Sequence, residues 1–106
     1  MSTEHLHSQH FAECLHTPFE IRAPGGGTVT FVLIRVSEKR DSPKLEQFSL
    51  IFQGPMTPLL PQQILTLKHD KLGELSLFFV PIGPLEEGGM GYEVIFNRYL
   101  RAQPNS

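Results

Sequence analysis

Two of the chain's five histidines stand near its only cysteine at spacings that suit metal binding: His7 and His10 are three apart, and His10 and Cys14 are four apart. On a helix such spacings bring side chains onto one face, which would offer nitrogen and sulfur donors to zinc or copper. A closed zinc site ordinarily collects four ligands from paired spacings, and a single cysteine leaves that set incomplete. A satisfied histidine cluster is the simpler expectation, with no metal and no other cofactor.

Nucleophilic chemistry has similar raw material. Cys14 with His10 or His16 could form a thiolate pair, and His69 followed by Asp70 could serve a serine such as Ser76 or Ser49. No Gly-x-Ser-x-Gly elbow is present, and Cys14 beside Leu15 reads as a buried, inert thiol. Asp70 sits where a strand enters a turn, so its expected role is to hydrogen-bond the turn backbone.

The glycine-rich stretches at 25–27 and 88–91 lack the strand-to-helix setting that cradles phosphate, since strand residues follow each of them. Glu86 and Glu87 are adjacent and would point apart on a solvated loop, which does not make a two-carboxylate acid/base pair. The chain is therefore expected not to be an enzyme.

Composition narrows the classes further. A length of 106 residues fits one domain, and 40% hydrophobic with 19% charged residues is the balance of a folded chain, not a disordered one. The net charge of -2 lacks the positive field that holds a phosphate backbone, so nucleic acid is not an expected partner. One cysteine excludes an internal disulfide and fits a reducing compartment, which makes the cytoplasm the expected location. The start of the chain has no apolar signal region, and no run approaches the ~18 apolar residues of a membrane span.

These groups must be positioned by one short helix and a series of strands. Residues 8–15 read as the helix, with Ser8 as N-cap and Phe11 and Leu15 on one face; Pro18 ends it. Alternating patterns then mark strands at 19–23, 28–38, 45–53, 62–69, 74–82 and 92–98. The second strand is apolar on both sides and is expected to be central and covered on both faces. Residues 39–44, the most charged stretch, read as a solvated loop, while 1–7 and 101–106 are expected to be flexible.

Six strands with short connections predict an all-β domain, a small six-stranded antiparallel β-barrel or strongly curled sheet capped by the helix.

The segment 56–61 is apolar and stiffened by Pro58 and Pro61. It either plugs the open end of the barrel, the favoured reading, or projects as a preorganised patch for another protein. A partner-binding surface would draw on Met56, Leu59 and Leu60, joined by Leu85 and Met90 from the later loop. An interior lined by Phe31, Phe52, Phe79 and Phe96 offers an alternative, a small apolar-ligand-binding barrel, though six strands leave little room. Oligomeric state stays open, because an edge strand of an incompletely closed barrel could pair with a second copy.

Several blocks along the chain carry a resemblance. They are His10-Phe11, Thr17-Pro18-Phe19, Phe48-Ser49-Leu50-Ile51-Phe52-Gln53-Gly54-Pro55, Leu59-Leu60-Pro61-Gln62, Lys68-His69-Asp70 with Leu72-Gly73, Phe79-Val80-Pro81-Ile82-Gly83-Pro84 and Tyr92-Glu93-Val94-Ile95-Phe96-Asn97. Together they resemble a bacterial family of small all-β domains of unknown function whose genes often lie beside those of phage-tail-collar-like proteins. That resemblance implies an all-β fold, a bacterial source and a tail-collar-like component as partner. It carries no catalytic residues. The histidine-rich start and the 39–44 segment depart from the family's usual pattern.

Overall fold

The computed structural model describes residues 6–22, 26–42, 45–57 and 59–99. A single short helix, α1 (Ser8–Ala12), precedes β1 (Pro18–Arg22), β2 (Thr28–Ser42), β3 (Leu45–Gly54), β4 (Gln63–His69), β5 (Gly73–Pro84) and β6 (Met90–Tyr99). The strands close into a barrel in the order β1-β2-β3-β6-β5-β4, with every neighbouring pair antiparallel. Two three-strand meanders thus join edge to edge. The β3–β6 seam runs the whole of both strands, from Leu45–Tyr99 to Gly54–Met90, whereas β1 meets β4 through the pair Glu20–Lys68. The expected six-stranded antiparallel barrel is the observed fold.

Alternation decides what lies inside. Leu65, Leu67, Leu75, Leu77 and Phe79 point inward from β4 and β5, and Phe48, Leu50 and Phe52 do so from β3. The aromatic rings interlock: Phe52 lies 4.9 Å from Phe79, Phe79 5.1 Å from Phe31, and Phe31 5.3 Å from Tyr92 between centroids. Interlocked rings at such separations fill a small barrel with its own side chains. Gly54 is required at its position, because a Cβ there would stand 2.6 Å from the Phe31 ring.

A second aromatic cluster seals the other end. Phe48 and Phe96, register partners on β3 and β6, stack at 4.4 Å, and Phe11 of α1 sits 5.5 Å from Phe96. Phe96 therefore belongs to the helix cap and not to the ring set of Phe31, Phe52 and Phe79.

Several boundaries differ from the sequence expectation for identifiable reasons. The N-cap is His7, not Ser8, and α1 ends at Ala12. His7 has extended backbone, its N–H donates to His10 Nδ1 at 2.9 Å, and the Ser8 hydroxyl is instead donated to the Glu38 carboxylate. Residues 39–42, expected in a loop, continue β2, because β3 pairs with β6 as far as Leu45–Tyr99 and so extends the sheet beyond the barrel. A bulge between Leu33 and Arg35 turns Val36 inward opposite Leu50. The outward Val32 of β2 is only half-buried, so β2 is covered on one face, not two. Leu6 is buried and His7 is bonded, contrary to a flexible start through residue 7. Residues 1–5, 23–25, 43–44 and 100–106, over which the flexible ends, the first turn and part of the charged loop were expected, lie outside the described residues.

Candidate functional site

The three residues spaced for metal binding are spent on the fold. His7 Nδ1 donates to the Glu46 carboxylate at 3.0 Å, which ties the start of α1 to β3. His10 turns its Nδ1 back to the His7 backbone. Cys14 is buried in the core cluster, and burial pushes its thiol pKa up, which favours the inert thiol over the nucleophilic thiolate. Among the described residues no group of three or more His, Cys, Asp or Glu side chains is arranged to hold a metal.

His69 anchors the most connected polar cluster. The backbone N–H groups of Lys71 and Leu72 donate to its Nδ1 at 3.0 and 3.2 Å. Nε2 then carries the ring proton and donates to Thr17 Oγ1 at 2.8 Å, and the Thr17 hydroxyl donates to the Cys14 carbonyl at 2.5 Å. Every ring position is used, and the Phe19 ring covers the imidazole at 4.3 Å. Burial lowers the His69 pKa, with Asp70 partly opposing and Lys71 adding to the shift.

This chain of bonds is not a catalytic dyad. Its proton points at a threonine that is itself committed to a backbone carbonyl, so Nε2 has no lone pair with which to activate Cys14 or a serine. The expected turn role of Asp70 falls to His69, whose ring does the bonding. Ser76 shares a hydrogen bond with Thr66 on the outer surface, away from the imidazole that was to activate it. Glu87 pairs with Arg35 at 2.8 Å, and Gln53 donates to the Gly88 carbonyl at 2.7 Å, so the 85–89 loop is tied to β2 and β3.

A family model described as a domain of unknown function (DUF6916) matches residues 6–96. The chain belongs to this family. No curated protein and no solved structure matches it. In this DUF6916 domain the match spans α1, all of β1 to β5 and most of β6, and so covers both the closed barrel and its cap.

The five residues proposed from sequence as a contact surface divide sharply. Leu60 and Met90 are core side chains, and Leu60 N–H donates to the Tyr92 hydroxyl at 3.0 Å, so the β3–β4 crossover is pinned over the barrel end. Neither can present itself to a partner, which corrects their assignment to a surface. Leu85 is half-buried above Gly91, where a Cβ would meet it at 2.7 Å. Met56 and Leu59 are exposed.

The larger apolar surface of the DUF6916 domain lies elsewhere. Ile64 on β4 is 68% exposed and faces Phe78 across the β4–β5 pair; Phe78 is 48% exposed. Val80 and Ile82 follow on the outward side of β5, and Ile95 on β6, 65% exposed, is the next outward residue after Glu93, the register partner of Val80. Among the described residues, six exposed large hydrophobics lie on the outside of β4–β6 or on the crossover into β4. The sequence signal is the apolar run on both sides of β5, where Phe78 and Val80 alternate with Leu77 and Phe79.

No helix among the described residues is long and apolar enough to cross a membrane.

Proposed function

We propose that the domain is a non-catalytic protein-interaction module whose contact surface is the outer face of β4, β5 and β6. One observation carries this reading: Ile64, Phe78, Ile82 and Ile95, each about half exposed or more, gather on one side of a barrel whose interior is already filled. Scattered apolar residues are ordinary on a protein surface, but a contiguous set marks an interaction site. The commitment of Cys14 and His69 to packing and hydrogen bonds supports a role without chemistry at those groups.

The resemblance to domains encoded beside phage-tail-collar-like proteins suggests a tail-collar-like component as one partner, met through Met56 and Leu59 at the barrel end. A cytoplasmic, bacterial setting fits the same reading.

Site-specific photo-crosslinking in the native host tests it. A photoreactive residue at position 78, 95 or 59 is expected to yield discrete protein adducts, while one at Thr30, on the outside of β2, yields none. Adducts absent at all three positions would overturn the proposal.

A further inference from the structure

The β1–β4 seam has the fewest register pairs in the barrel. Among the described residues its pairing is Glu20–Lys68 alone, whereas the β3–β6 seam is paired from Leu45–Tyr99 to Gly54–Met90. Toward α1 the next outward position of β1 is Pro18, which has no N–H to give to a ladder. Side chains make the closure there: His69 Nε2 donates to Thr17 Oγ1 at 2.8 Å, and the Phe19 ring covers the imidazole. A cleft lies over this contact, with Glu13, Cys14 and Thr17 on one wall and His69, Asp70 and Lys71 on the other.

The other nitrogen of the same ring admits one protonation state. The Lys71 and Leu72 N–H groups both donate to Nδ1, at 3.0 and 3.2 Å, an arrangement open to the neutral imidazole and closed to the imidazolium. A proton on Nδ1 sets a donor against two donors. We infer that His69 is an acid-released latch: on protonation the ring leaves both turn amides and Thr17, and the cleft between the β4–β5 turn and the turn after α1 opens onto Phe19 and Cys14. The opening is local, because β4 keeps its ladder to β5 and β1 its ladder to β2.

The groups facing the ring fix the direction of the switch. Burial lowers the His69 pKa in the latched state, Asp70 raises it and Lys71 lowers it further. Glu13 and the Cys14 thiol stand across the cleft, while Phe19 of β1 and Gly73 of β5 bring no charge. The released ring, in water, returns to the ordinary value of about 6.5, so the proton binds the released state more tightly. The latch is therefore shut at neutral pH and opens as pH falls through the latched-state value.

Cys14, buried while the latch is shut, is the reporter. Its reaction with dithiodipyridine, measured on the full chain from about pH 8 to 5 and divided by the rate for free cysteine at each pH, is expected to rise about tenfold or more as the His69 ring signals titrate in NMR spectra. The Lys71 and Leu72 amides should lose hydrogen-exchange protection over the same range, while amides of the β3–β6 seam keep theirs. His69→Gln, whose carboxamide can accept from the turn and donate to Thr17 without titrating, should hold Cys14 at its neutral-pH reactivity throughout. A normalised rate that stays flat while His69 titrates, a rise shared by His69→Gln, or a rise that arrives only with loss of protection in β3 and β6 overturns the inference. If the Gln variant does not fold, the ring titration and amide exchange of the parent chain decide it: turn amides still protected once His69 is protonated would refute the latch.

Discussion

His69 Nε2 donates to Thr17 Oγ1 at 2.8 Å, and this contact joins the β4–β5 turn to the turn that follows α1. One imidazole thereby holds two segments more than fifty positions apart in the chain, and the same ring satisfies two turn amides. Its place in the fold accounts for a buried histidine without invoking catalysis.

Replacing His69 by Ala strands the Lys71 and Leu72 amides and opens a space beside Phe19. A loss of about 2–4 kcal/mol is expected from the orphaned donors and the cavity. Thr17→Val, which removes both the acceptor of the His69 Nε2–H and the donor to the Cys14 carbonyl, should cost about 1–2 kcal/mol. Urea denaturation monitored by far-UV circular dichroism measures both, and a His69→Ala variant as stable as the parent would refute the anchoring role.

The pH dependence follows from the direction of the His69 shift. Burial lowers its pKa in the folded state below the ordinary value of about 6.5, so in the window between the two the unfolded chain binds the extra proton. The stability it contributes is fully present above about pH 6.5 and is lost as pH falls through the folded-state value. Protonation would also set an Nδ1–H against the two amide donors. Denaturation midpoints measured from pH 8 to 5 should fall, and the His69→Gln variant should show a shallower dependence over that window.

Leu60 and Leu59 are neighbours with opposite roles. Leu60 is 7% exposed and Leu59 57%. Leu60→Ala should cost about 2–4 kcal/mol through cavity formation at the barrel end, whereas Leu59→Ala should stay within about 0.5 kcal/mol. Equal costs in calorimetry would contradict the crossover acting as a plug.

Strand alternation made the barrel legible in the sequence, because Leu75, Leu77 and Phe79 can bury together only with their neighbours turned out. Proline and glycine marked most strand ends. The extension of β2 to Ser42 is hidden, since charge and Pro43 read locally as a loop, while β2 pairs with β3 as far as Ser42–Leu45 and β3 is held there by β6, about fifty residues later. The helix cap was misread because the preference of Ser for that position gave way to Glu38, a long-range partner of Ser8. His16 adopts φ 65 with its N–H donating to Leu33 O, a turn into β1 that nothing nearby in sequence announces.

The contact surface was the least legible part. Apolar side chains on both faces of β5 look alike in a sequence, and only barrel closure decides that Phe79 goes in and Phe78 stays out. Proline-rich 56–61 drew attention instead, yet its Leu60 is core. Burial of Cys14 was legible from its place beside Leu15, but the Arg35–Glu87 pair spans strands and could not be read from spacing.

The central claim is that the outer face serves association and not folding. Phe78→Asp tests it most directly, with thermal melting of the variant measured beside its photo-crosslinking from position 95 in the native host. The account predicts a melting temperature lowered by less than about 5 °C, as for a surface position, together with loss of the protein adducts. A folded variant that forms the same adducts as the parent, or a chain that no longer folds, would contradict it.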